Sequence, residues 1–211
     1  MTRIVLGDDH AMIRGGVAQL IREAGDDLNV VAQAQDYPSI MKALREHEPN
    51  VLVLDIDMPG KNGIEILKIA RKEFPRLAVL LYSMHSENEY GVRALKAGAS
   101  GYVTKSAPAE ELTSAIRAVA QGRKWINPAL AAALAEHVNE DPDRPPHETL
   151  SDREFQTLRL IASGKRLSDI AEALSLSPKT VSVYRARLLE KMRLKNNAEL
   201  THYAMKNGLV D

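Results

Sequence analysis

The sequence predicts an α/β fold, a doubly wound five-stranded parallel sheet, followed by a small all-α domain of four helices. Three observations carry this expectation. Short apolar, β-branched runs alternate with amphipathic stretches through the first 121 residues. The runs VLVL and AVLL are apolar throughout, as strands covered on both faces must be. From Ser151 onward only helical periodicity is present.

The elements follow in order. A strand at 3–6 precedes a helix at 11–24, a strand at 29–34 a helix at 38–46, and a strand at 51–54 a helix at 63–74. Strands at 78–82 and 101–103, with helices at 87–97 and 108–121, complete five β/α units. In such sheets ligands bind beyond the carboxyl ends of the strands, where strand order reverses. The third strand ends at Asp55.

After Gly122 the rhythm stops. INPALAAALAEHV reads as one more helix, about 128–138, and NEDPDRPPHETL as a flexible acidic, proline-rich linker with almost nothing to bury. LSDREFQTLRLIASG begins with Ser151 and Glu154 at capping-box spacing and stops at Gly164. LSDIAEAL is a short second helix. SLSPKTVSVYRARLLEKM offers Ser177 as N-cap and Pro178 at the first helical position, and NAELTHYAMKNG closes the set. The expected domains are therefore 1–121, a connector at 122–147 and 148–211.

Composition narrows the function. The 211 residues suffice for two domains, and 45% hydrophobic with 27% charged residues can build ordinary cores. The absence of cysteine excludes disulfides, thiolate metal sites and thiol catalysis, and suits a reducing cytoplasm. MTRIVLGDDH is too quickly acidic for a signal peptide, and no apolar run approaches the ~20 residues that span a bilayer. The expected location is cytoplasmic, with no membrane partner. Net charge is zero but uneven: −2 over 1–121, −2 over 122–150 and +4 over 151–211. A basic last third points to a polyanion.

A carboxylate at the mouth of a buried strand is costly unless something positive satisfies it. The first strand ends in Asp8 and Asp9, the third in Asp55 and the fourth in Ser83, while Lys105 follows the fifth. In a doubly wound sheet these residues converge at one edge. Three carboxylates there suit a hard cation such as Mg²⁺, which takes carboxylates, a backbone carbonyl and water. With a dication and a lysine beside it, Asp55 could act as nucleophile toward a phosphoryl group, and Ser83 and Lys105 could neutralise the transferred oxygens. Asp57 is expected to point to solvent or cap the turn through Met58, Pro59 and Gly60, and Met58 to serve packing.

LGDDH, LDIDMPGKNG, LLYSMH and GYVTKS resemble the motifs of a bacterial two-component response regulator receiver domain, a flavodoxin-like fold, over roughly 1–121. The resemblance implies Asp55 as phosphoacceptor, with Asp9, Asp55 and the backbone carbonyl of Asp57 on Mg²⁺ and Asp8 assisting through water. It makes Ser83 the switch hydroxyl, Lys105 the phosphate contact and Tyr102 an aromatic that turns inward. Gly7 and Ser106 depart from the usual pattern, in which a small apolar residue and a proline stand at those places.

Six basic residues, Lys179, Arg185, Arg187, Lys191, Arg193 and Lys195, lie between Ser177 and Lys195 against one acid, Glu190. Val181, Leu188 and Met192 share one helical face, so the helix can pack inward and present cations outward. The short helix at 167–174, the turn at 175–177 and this basic helix have helix-turn-helix spacing, in which the second helix enters the major groove of DNA. The stretch from Leu150 to the end is similar to the LuxR-type output domain of the NarL/FixJ subfamily. By that likeness Lys179, Thr180, Ser182, Val183, Arg185, Arg187 and Lys191 are the DNA-contact positions. Ser182 stands where many relatives carry lysine, so no base preference carries over.

The expected function is a DNA-binding transcriptional regulator, not an enzyme beyond accepting and losing its own phosphoryl group. A sensor histidine kinase would supply that group, and phosphorylation would change the face of the last two receiver helices and fifth strand, releasing or dimerising the output domains. Two rivals stand beside it. Asp55-Ile56-Asp57 is also the strand-terminal DxD of a haloacid dehalogenase-type phosphohydrolase, in which Asp57 would be the general acid. A constitutive DNA-binding protein with an inactive receiver is the other.

Overall fold

A computed structural model describes residues 1–138 and 145–210, and the chain divides into two units, Met1–Asn139 and Glu140–Asp211. The stretch expected to form the flexible acidic linker falls largely on 139–144, outside the described residues.

In the first unit, β1 (Thr2–Gly7), β2 (Leu28–Ala34), β3 (Val51–Leu54), β4 (Ala78–Ser83) and β5 (Gly101–Thr104) form one parallel sheet in the order β2-β1-β3-β4-β5. Between them run α1 (Ala11–Glu23), α2 (Tyr37–His47), α3 (Gly63–Glu73), α4 (Val92–Lys96) and α5 (Ala109–Ala120). Alternation along each strand divides the core. Ile4, Leu6, Val51, Val53, Leu80 and Val103 pack with Val17, Ile21, Leu112, Ile116 and Val119 of α1 and α5. Val5, Leu52, Leu54, Val79 and Leu81 alternate with them and are equally buried.

Helix starts are fixed locally. Asn62 accepts from the Glu65 N–H (2.8 Å) while Glu65 Oε2 accepts from the Asn62 N–H (3.0 Å), a reciprocal cap that starts α3 five residues after Asp57. Gly63 is required there: a Cβ on it would lie 2.1 Å from the carbonyl oxygen of Asp55, and its N–H donates to Ile56 O at 2.8 Å.

The helix expected at 87–97 differs. It is a π turn, Glu87–Gly91, followed by the short α4. One extra residue in the turn brings Tyr90 inside, where it is 1% exposed and stacks on His85 at 4.7 Å. The helix read as part of the connector, α6 (Pro128–Val138), packs on the π turn and α4, and so groups with the first unit.

The second unit holds a 3₁₀ turn (Pro146–Thr149) and α7 (Asp152–Ala162), α8 (Leu167–Ala173), α9 (Pro178–Met192) and α10 (Asn197–Lys206). Phe155, Leu158, Ile161, Ile170, Val181, Leu188, Met192 and Leu200 form its core. The Ser151–Glu154 capping box and the Ser177 cap are both formed, the latter accepting from the Thr180 N–H at 3.1 Å. No helix among the described residues is long and apolar enough to cross a membrane.

Candidate functional site

Sheet register builds the first site. β1 and β3 are neighbours with Gly7 opposite Leu54, so the residues that follow, Asp8 and Asp55, emerge side by side. The ladder extends one step further, with Asp55 N–H donating to Gly7 O at 2.8 Å. This is where strand order reverses. Across β4 and β5, Ser83 lies opposite Thr104, and Lys105 N–H donates to Ser83 O at 2.7 Å.

Lys105 Nζ lies 2.6 Å from Asp8 Oδ2 and 2.7 Å from Asp55 Oδ2, with all three side chains nearly buried. Burial pushes the Asp55 carboxyl above its usual value, against the pull of Lys105, with Asp8 and Asp57 adding to the rise. Burial works against the Lys105 ammonium, but Asp55 and Asp8 together outweigh it and raise its pKa. Asp8 is thus as central as Asp55, and its carbonyl accepts from Arg14 Nη1 at 2.6 Å.

Asp8, Asp9, His10 and Asp55 each offer one ligand atom within 4.8 Å of the others. His10 Nδ1 lies 2.7 Å from Asp9 Oδ1. A donor set dominated by carboxylate oxygens fits a hard dication better than a soft metal.

Ser83 is fully buried, and its Oγ accepts weakly from the His85 N–H at 3.4 Å. Tyr102 is already inside, fully buried, donating its hydroxyl to His85 O at 2.8 Å. Burial drives the Tyr102 hydroxyl well above its usual value, although a hydrogen bond with Ser83 opposes this. The inward turn expected of Tyr102 is therefore its position here. Asp57 also departs from expectation. Its Oδ2 lies 2.8 Å from His85 Nε2, so the side chain ties the β3–α3 loop to the segment after β4 instead of facing solvent.

The second site is the basic helix. The chain turns between α8 and α9 through Ser175, at φ +52°, and the side chains of Lys179, Ser182, Val183 and Arg187 are exposed on α9. Thr180 is half-buried and its Oγ1 shares a hydrogen bond with Ser177 Oγ at 2.8 Å; Arg185 donates to Asn197 Oδ1 at 2.6 Å. Lys191 is corrected. Its Nζ lies 2.7 Å from Oε2 of Glu154, whose side chain is 4% exposed, so its charge is committed to satisfying a buried carboxylate.

Residues 4–117 match the family described as response regulator receiver domain, more than half of the chain. The chain belongs to the response-regulator family. Residues 148–204 match bacterial regulatory proteins of the luxR family. The regulator is 35% identical to the response regulator GacA of Pseudomonas viridiflava over 212 aligned residues, covering 100% of this chain and 99% of the relative. It is 36% identical to the oxygen regulatory protein NreC of Staphylococcus carnosus, covering 99% of each. A structure of RcsB from Salmonella enterica serovar Typhimurium, bound to a promoter with a phosphomimetic beryllium fluoride, superposes with a TM-score of 0.61 at 26% identity, covering 96% of this chain and 97% of that one. The regulator is a two-component response regulator of the NarL/FixJ type with a LuxR-type DNA-binding domain. Neither domain is a known enzyme family.

Sequence reasoning missed His85, His10, Arg14 and the buried Glu154. A signal for His85 exists: Ser83 and His85, like Asp55 and Asp57, are two apart, so alternation brings each pair to one side of neighbouring strand ends.

Proposed function

We propose that the regulator is switched by phosphorylation of Asp55 from a sensor histidine kinase and then binds promoter DNA as a homodimer in the cytoplasm. The observation that carries this reading is the convergence of Asp8, Asp55 and Lys105 within 2.7 Å contacts at the switch point of the sheet. In this reading residues 1–121 receive the signal, 122–147 connect and 148–211 bind DNA.

A carboxylate oxygen of Asp55 attacks phosphorus, the P–N bond to the donor imidazole breaks, and the imidazole leaves with the bonding pair and takes up a proton. Asp8, Asp9, Asp55 and the carbonyl of Asp57 would hold Mg²⁺, which supplies positive charge against the phosphoryl oxygens when bound. Lys105 follows the transferred group from its present carboxylate partners, and Ser83 Oγ donates to it. On DNA, Lys179 and Arg187 contact phosphate or base edges, Arg185 keeps N–H donors beyond its bond to Asn197, and Thr180, Ser182 and Val183 line the groove. A dimer is expected because one short recognition helix reads few base pairs.

The test is phosphate-affinity electrophoresis of wild type and Asp55→Ala after acetyl phosphate and Mg²⁺, then a DNA shift at two salt concentrations. A retarded band in wild type alone, with salt-sensitive DNA binding strengthened by phosphorylation, is expected. Equal phosphorylation of both proteins ends the reading.

A further inference from the structure

The segment between the two family matches, residues 118–147, belongs to neither, yet part of it is built into the first unit. Trp125 forms a parallel bridge with Gly101 of β5, and its N–H donates to Ser100 O at 2.9 Å. Asn127 Nδ2 donates to Glu87 Oε1 at 2.9 Å and to Glu111 Oε1 at 3.2 Å, spanning the π turn and α5, while its Oδ1 caps α6 through the Leu130 N–H at 2.9 Å. Leu130 is fully buried. Its Cδ1 lies 2.6 Å from where a Cβ on Gly91 would sit, so the helix is seated in a hollow that exists only because that π-turn residue is glycine.

The seat adjoins the proposed switch through a continuous set of contacts. Ser83 meets the His85 N–H and Tyr102, Tyr102 meets the His85 carbonyl, His85 stacks on Tyr90, and Gly91 follows Tyr90 in the π turn. Two features mark the docked arrangement as readily reversed. The π turn has an alternative register one residue tighter. The indole Nε1 of Trp125 is buried with no hydrogen-bond partner, a debt that exposure to water removes.

We propose that α6 is a latch read by the receiver: Leu130 seated on Gly91 holds the connector down while Asp55 is unmodified, and phosphorylation unseats it. The proposal rests on Asp55 being the phosphoacceptor. When Ser83 turns to the phosphoryl oxygens it leaves the His85 N–H and the Tyr102 hydroxyl, the π turn shifts, and the hollow at Gly91 closes to Leu130. The freed helix then carries the signal toward the DNA-binding unit.

Trp125 is the sole tryptophan and sits in the latch, so it reports on the event directly. The full chain is treated with acetyl phosphate and Mg²⁺, phosphorylation is scored by phosphate-affinity electrophoresis, and tryptophan emission and acrylamide quenching are read on the same sample. Phosphorylation should shift emission to the red and raise quenching in wild type. Leu130→Ala should give that spectrum without phosphate, still accept phosphate, and speed amide exchange across α6 by about tenfold or more. A phosphorylated wild type with unchanged tryptophan signal, or a Leu130→Ala variant that matches unmodified wild type, overturns the latch and leaves the Asp55 reading intact. Absence of phosphorylation in wild type defeats the Asp55 reading and the latch with it.

Discussion

Lys105→Met removes the only charge that touches both Asp8 and Asp55 among the described contacts, and its cost can be worked from the site. The three side chains are 5, 9 and 4% exposed, so both carboxylates would be left nearly dry with no cation. Breaking a buried pair costs about 3–5 kcal/mol. The site lies at the sheet edge, where water can enter, so the lower end applies. At roughly 2–4 °C per kcal/mol for a chain of this size, Tm should fall by about 6–12 °C. The sign with pH follows from Asp55. Its folded pKa is already raised by burial, and losing Lys105 raises it further, so acidification neutralises the stranded charge and the deficit should shrink as pH falls through that range. In wild type the stabilisation from the raised Lys105 pKa is fully present below its ordinary value of 10.5 and is lost as pH rises through the folded value. Thermal unfolding of both proteins by circular dichroism in EDTA, at pH 7.5 and 5, measures this. Equal Tm values at pH 7.5, or a deficit that widens in acid, would refute the reasoning.

Other outcomes follow from the same geometry. Gly63→Ala forces a Cβ to 2.1 Å from the Asp55 carbonyl oxygen, so it should cost about 2–3 kcal/mol or more and impair phosphorylation; denaturant unfolding alongside a phosphorylation gel checks both. Lys191→Met should destabilise the second unit by about 3 kcal/mol, because Glu154 loses its cation, as urea unfolding would show. Arg187→Ala should instead leave stability unchanged, weaken DNA binding and lower the salt slope by about one, seen by fluorescence anisotropy at several ionic strengths. Burial pushes the Glu154 carboxyl up, but donors from Lys191 and Ser151 outweigh it and hold its pKa low. Its contribution to stability is therefore present above the usual value of 4.5 and lost as pH falls through the folded value, and Lys191→Met should abolish much of this acid dependence.

Much of the fold was written in local pattern. Apolar runs such as VLVL are legible because a strand covered on both faces has no polar alternative, and Ser151 with Glu154 marks a helix start because a capping box needs no tertiary help. The convergence of Asp8, Asp55 and Lys105 was legible once a parallel sheet was assumed, since every strand then ends at one edge. What escaped the sequence depends on side chains meeting across separate loops. The His85–Asp57 pair joins residues 28 apart, and Lys191 reaches Glu154 from another helix. The π turn at Glu87–Gly91 keeps helical periodicity and carries no letter that announces it. The helix at 128–138 could be read, but its seat could not, because the hollow at Gly91 is a property of the folded neighbour.

The hydrogen bond from the Asp55 amide to the Gly7 carbonyl has a mechanical meaning. It clamps the roots of two mutually repelling groups with main chain, so gain or loss of charge above them cannot splay the strands. The sheet behaves as an anvil: work done on the pocket is delivered to the surrounding loops, and the same molecule can be struck and reset repeatedly without loosening its frame.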